Sequence, residues 1–131
     1  MITGRGVTFY LTGDSTYPYA GVNITAVTLN SLVAPTSGAM EGILFFQDRN
    51  ISAAVAAANP NTIVGAALAK YEGTFYFPTT QLNYTINASL AAYTAIVADK
   101  ISINVAAVGS VNNDYSSLSD GSPLKGAVLA E

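Results

Sequence analysis

The sequence predicts an all-β chain wound as a right-handed parallel β-helix, a β-solenoid of about four coils with loop insertions. Three observations carry that expectation. Short β-branched and aromatic runs end at Gly or Pro, those runs recur in order along the chain, and the tight two-residue turns of an antiparallel fold are scarce. The right hand follows from the general chirality of parallel crossovers and from no residue here.

The strands read as follows. Four anchor segments align, Gly6-Val7-Thr8-Phe9-Tyr10-Leu11, Gly42-Ile43-Leu44-Phe45-Phe46-Gln47, Gly73-Thr74-Phe75-Tyr76-Phe77-Pro78 and Thr94-Ala95-Ile96-Val97-Ala98-Asp99, with starts 36, 31 and 21 residues apart. Each holds a short apolar core bounded by a turn residue. Alternating runs accompany them: 24–32 before the second anchor, 62–68 before the third, Leu82, Tyr84 and Ile86 after the third, and Ile101, Ile103 and Val105 after the fourth. The last two runs share nearly one phase. Insertions at 13–21 and 50–61 lengthen the early units, and the Ala-rich octet 51–58, closed by Asn59-Pro60-Asn61, reads as two helical turns or as a loop.

A unit of about 20 residues cannot bury its apolar face alone, but stacked at roughly 4.8 Å per coil it builds continuous parallel sheets around a dry interior. A β-sandwich is the alternative. It requires tight hairpins, and the chain has no Asn-Gly and one Asp-Gly, Asp120-Gly121. The expected organisation is a solenoid domain over residues 1–115 and a C-terminal tail, 116–131, packing on it or extending from it.

Composition excludes much chemistry. The 131 residues contain no His, Cys or Trp, five Lys or Arg and eight Asp or Glu, for a net charge of −3. Structural zinc, thiol nucleophiles, Ser-His-Asp triads and haem ligation by this chain are ruled out. The basic residues stand singly, so no stripe is available to a nucleic-acid backbone. Half the residues are hydrophobic and a tenth are charged, which leaves a surface of Thr, Ser, Asn, Gly and Ala that is prone to self-association. No run is long and apolar enough for a membrane span, and the opening residues lack the features of a secretory signal, so an export segment, where there is one, is expected outside this sequence.

The ordered segments GVTFYLTG (6–13), APTSG (34–38), GILFFQDRN (42–50), GTFYFP (73–78) and TAIVAD (94–99), with YSSLSDGSPLKGAVLAE (115–131) at the close, resemble the C-terminal region of TadG-like, Flp pilus-assembly-related bacterial proteins. The resemblance covers nearly the whole chain, and GILFFQDRN is its most specific piece. It implies a secreted or envelope-associated protein linked to tight-adherence pili, with a membrane helix and further β-rich segments upstream in the longer protein. Where those upstream segments are missing, the strand 6–11 is expected to lie in an uncapped coil whose backbone invites another subunit. The resemblance supplies no catalytic residues.

Two sets of candidate interaction residues stand out. Gln47, Asp48 and Arg49 follow a strongly apolar strand and suit a polar partner or a sugar; equally, Asp48 orients the turn by accepting backbone N–H groups while Arg49 lies over a neighbouring coil. Tyr17 and Tyr19, flanking Pro18 in the first insertion, are the best candidates among eight tyrosines for sugar stacking, against an ordinary packing role. Glu41 and Glu72 recur just before an anchor Gly, where stacked carboxylates would suit a cation. Asn112-Asn113-Asp114 lacks the rest of a calcium loop and reads as a turn. Sequons at Asn23, Asn50, Asn83 and Asn87 read as chance in a Thr- and Asn-rich β protein.

The functional expectation is a non-enzymatic structural protein of the bacterial surface, with no cofactor and no bound metal. It works as a homo-oligomer or filament through strand addition, or in adhesion, with pilus-assembly components or surface glycans as further partners. The alternative is a carbohydrate-binding or carbohydrate-active solenoid using the tyrosines and one or two carboxylates.

Overall fold

The computed structural model describes residues 2–25, 31–65, 69–86, 91–105 and 111–122. They form β1 (Thr3–Arg5), β2 (Phe9–Leu11), β3 (Asn23–Ile24), β4 (Ser31–Val33), β5 (Ile43–Gln47), α1 (Ala53–Ala58), β6 (Asn61–Val64), β7 (Lys70–Ile86) and β8 (Thr94–Val105). Every ladder between these strands is parallel. Antiparallel pairing among the described residues is confined to a bridge between Tyr93 and Asn113. The chain is therefore all-β in class, a curled parallel sheet with one short helix. Among the described residues there is no hairpin pairing of the kind from which a sandwich is built.

The long strand β7 organises the rest by carrying three successive partners on one side and β8 on the other. Its start, Lys70 to Glu72, pairs with β4, which pairs in turn with β1. Its middle pairs with β5 on one side, beyond which lies β2, and with the start of β8 on the other. Its end pairs with β6, beyond which lies β3, and with the end of β8. The four anchor segments thus lie side by side, Phe9 against Phe45, Phe45 against Phe75, and Phe75 against Ile96.

The structure corrects the simple alignment of the second and third anchors by one residue. Ile43 pairs with Thr74, but Phe45 rather than Leu44 pairs with Phe75, because β5 bulges at Leu44. A bulge inserts one extra residue and bends the strand; here both Leu44 and Phe45 end up buried.

The core runs along the columns these registers create. Phe45 meets Phe75 edge to face at 5.3 Å and stacks on Phe77 at 6.0 Å, while Phe75 meets Tyr84 at 5.5 Å. Such pairs add about 0.5–1.5 kcal/mol each beyond the burial of their area. Gly73 allows the tight approach of β7 to its neighbours: its φ is 144°, and a Cβ there would come within 2.8 Å of the Cβ atoms of both Ala34 and Leu44.

The insertions and the C-terminal segment close the sides. Ser52 caps α1 by accepting the Val55 N–H, Asn59 ends it by donating its side-chain amide to the Val55 carbonyl, and Pro60 stands where the helix would have continued. The helix is one turn and a half within the Ala-rich octet, and Ala56 is its buried contact. At the far end the Thr94 N–H donates to the Asn112 carbonyl and the Asp114 N–H to the Ala92 carbonyl, each at 3.0 Å. Leu118 is buried, and Ser119 bonds the Glu41 carboxylate. The last part of the expected tail, 123–131, lies outside the described residues.

Candidate functional site: the two outer edges of the sheet

The first candidate motif separates in space. Gln47 is fully buried; its amide donates to Thr79 Oγ1 at 2.6 Å and accepts from Thr80 Oγ1 at 2.8 Å. Asn61 continues the ladder, donating to Thr80 Oγ1 at 2.7 Å and accepting the Val22 N–H at 2.9 Å. This seam fills the corner where Pro78, Thr79 and Thr80 of β7 stand opposite Asp99 of β8. Buried amides and hydroxyls are tolerated when each is partnered, so the seam fixes strand positions at a corner that apolar side chains do not fill.

Asp48 and Arg49 face outward. The Asp48 carboxylate accepts the Asn50 N–H at 2.9 Å and the Thr12 hydroxyl at 3.0 Å, and those bonds, the backbone one foremost, hold it below the usual carboxylate range. Arg49 lies over the Tyr76 ring with its guanidinium carbon 5.3 Å from the centroid. The geometry is that of a turn and a neighbouring-strand contact.

Tyr17 and Tyr19 point opposite ways. Tyr17 is 77% exposed, while Tyr19 is 4% exposed and packs with Ile51, Ala56 and Leu11. Tyr19 therefore offers no ring face to a sugar, and the two do not form a stacking pair. Burial raises the Tyr19 phenol, and its hydroxyl sits near Thr80 and Asn61 without a well-formed bond.

The acidic residues are also occupied. Glu72 is buried, paired with Lys70 at 3.0 Å and accepting the Ala92 N–H at 2.8 Å, whereas Glu41 holds Ser119. Among the described residues no group of three or more potential metal-ligating side chains converges. Asp114 accepts the Ser116 N–H within a turn, as Asp14 does for Thr16 and Tyr17. Of the sequons, Asn50 and Asn23 are exposed, Asn83 accepts a bond from Gln81, and Asn87 lies outside the described residues.

What the structure does gather is apolar surface at the two outer edges. At one edge lie β1, β2 and β3, each with a single described strand partner, and there Phe9 and Tyr10 are 40% and 57% exposed. Tyr10 is the outermost ring of a stack that runs to Phe46 at 5.6 Å and from Phe46 to Tyr76 at 5.0 Å. At the other edge lies β8, where Ile101, Ile103 and Val105 are 48–50% exposed. These residues continue columns that are buried one strand further in: Leu82, Tyr84 and Ile86 beneath β8, and Phe45 beneath Phe9.

The sequence reading marks the strand 6–11 as an open edge only where upstream coils are missing; the β8 edge goes unmarked in that reading. Its signal is nevertheless present, an alternating apolar run with no further run of the same phase after it. No helix among the described residues is long and apolar enough to cross a membrane. Comparison with protein-family models, curated proteins and solved structures returned no match.

Proposed function

We propose that this chain is a non-enzymatic structural protein of the bacterial cell surface, pilus-assembly-related as its motifs suggest, that assembles or adheres through the outer edges of its sheet. In this reading the three ladders are the faces of a right-handed parallel β-solenoid of about four coils, β7 traversing one coil and β8 most of the next. One observation carries it: interior columns emerge half-exposed on both outermost strands, at Phe9 on one side and at Ile101, Ile103 and Val105 on the other. An edge of that kind presents unpaired backbone groups beside apolar side chains, the combination that accepts an added strand. Electron microscopy of the purified chain across a concentration series tests it. Filaments or regular oligomers that lengthen with concentration are expected; discrete monomers at every concentration refute the assembling form of the proposal.

A second reading, saccharide binding, draws on a groove of about 480 Å³ beneath α1, lined by Pro60, Pro78, Thr79, Gln81, Asp99 and Lys100. Polar side chains on an apolar floor suit a hydroxyl-rich ligand better than the divergent pair Tyr17 and Tyr19 does. Binding on a glycan array that is lost in Asp99→Ala supports it, and an array without binding removes it.

A further inference from the structure

We infer that the partner of the β8 edge is the β2–β3 edge of a second copy of this chain, added in parallel so that Val22, Asn23 and Ile24 of the second copy lie against Ile101, Ser102 and Ile103. The inference rests on the assembly reading and deepens it by naming partner and register.

The register comes from the ladders themselves. Asn23 pairs with Thr62, Thr62 with Asn83 and Asn83 with Ser102, while Ile24, Ile63, Tyr84 and Ile103 form the next column. Each column starts at one outer edge and ends at the other, so one further step of the same parallel ladder places Asn23 of a new copy on Ser102. The residue types match on either side of that step. Val22-Asn23-Ile24 and Ile101-Ser102-Ile103 both read apolar, polar, apolar, and both isoleucines occupy the interior column.

The adjacent column fits as well. The same step sets Phe9 on Ile96 and Tyr10 on Val97, extending the run Phe9, Phe45, Phe75, Ile96 and the ring stack that ends on Tyr10. A one-residue slip would turn every interior side chain outward, so the register is strongly specified.

The C-terminal segment limits the contact. Asn112 and Asn113 already occupy the outer side of Thr94 and Tyr93, where a second copy's β1 would otherwise continue the first ladder. The added copy is therefore held by β2 and β3 alone. Because the joining edges differ, the contact is head to tail and does not close on itself, which yields filaments.

The chain lacks cysteine, so single cysteines read the register directly. Chains carrying Asn23→Cys and Ser102→Cys, each alone, are mixed under mild oxidation; in-register neighbours place their Cα atoms within bridging distance, whereas Asn104→Cys stands one pleat repeat further away. The expected result is disulfide dimers of the 23–102 pair in excess of about tenfold over the 23–104 pair and over either homodimer, as their higher effective concentration requires. Ile103→Lys is expected to abolish both that cross-link and the assembly while leaving the far-ultraviolet β spectrum unchanged. Assembly without the preferred cross-link overturns the register and leaves the assembly reading standing. A chain that stays monomeric and cross-links nowhere overturns both.

Discussion

Leu82, Tyr84 and Ile86 of β7 and Ile101, Ile103 and Val105 of β8 are paired one to one and share the same alternation, yet the first three are 0–3% exposed and the last three 48–50%. Nothing in the two short sequences separates them. Position in the stack does: β7 has β6 on one side and β8 on the other, whereas the end of β8 has β7 alone among the described residues. A parallel ladder stabilises an interior side chain through the strands both above and below it, so the outermost rung holds a core residue in half a core. That arrangement is unfavourable in isolation, and it is what makes the edge a candidate for addition.

The sharpest way to break the comparison is to truncate both members of one pair. Leu82→Ala leaves a cavity in a fully buried column and is expected to cost about 2–5 kcal/mol, while Ile101→Ala is expected to cost about 1 kcal/mol or less, measured by denaturant unfolding at low concentration. Equal costs would mean that the end of β8 is covered in solution. If the Ile101→Ala penalty grows with protein concentration, the covering partner is another molecule, since binding to the folded state stabilises by mass action.

The next effect appears with pH. Burial, with a smaller contribution from the neighbouring Tyr71, pushes the Tyr84 phenol up from 10.0 to about 12. Below pH 10 the phenol is neutral in folded and unfolded chains, and the stabilisation is present in full. Between pH 10 and about 12 the unfolded chain ionises first, so stability falls as pH rises, by about 2–3 kcal/mol over the window. Tyr84→Phe removes the titrating group, and its unfolding free energy is expected to fall by correspondingly less over that window. A variant that tracks the parent curve would assign the alkaline loss elsewhere, Tyr93 being first in line because burial and the charge of Glu72 raise it too.

A third effect lies at the corner. Gln47→Leu keeps the volume but leaves the Thr80 O–H without its acceptor and Thr79 Oγ1 without its donor, although Thr79 still donates to the Ile51 carbonyl, and it is expected to cost about 1–3 kcal/mol in thermal or denaturant unfolding. Adding Thr80→Val to Gln47→Leu removes the unpartnered Thr80 hydroxyl but leaves the Asn61 amide without its acceptor. Recovery in the double variant is therefore expected to be partial.

These same residues mark where sequence reading succeeds and where it stops. Anchor order and the shared phase of 82–86 and 101–105 were legible because parallel stacking places like on like, and Phe9 on Phe45 and Leu82 on Ile101 follow from it. The bulge at Leu44 was not, because Leu44 and Phe45 are both apolar and either satisfies the pattern. Gln47 reads as the polar end of a strand; its burial depends on Asn61, Thr79 and Thr80, which come from distant parts of the chain and leave no local periodicity. The inward turn of Tyr19 is fixed by Ile51 and Ala56 from the second insertion, a contact between two loops that no alternation encodes.

The smallest expected effect concerns the outward face. Arg49 lies on Tyr76, the ring that Phe46 and then Tyr10 extend to the exposed edge, so its charge sits at the inner end of an aromatic stack whose outer end is open. A cation over a ring at a solvent-exposed site is worth about 0.5–1 kcal/mol, and Arg49→Ala is expected to lower stability by that amount, with Arg49→Lys losing less. The pair joins the turn after β5 to the middle of β7, and Arg49 itself belongs to neither edge strand. Assembly is accordingly expected to proceed unchanged in Arg49→Ala, whereas Tyr10→Ala, which removes the outermost ring at little cost to the isolated fold, is expected to weaken it. Should Arg49→Ala prevent assembly and Tyr10→Ala leave it intact, the partner would be docking on the turn at Asp48 and Arg49, and the two outer edges would lose their assigned role.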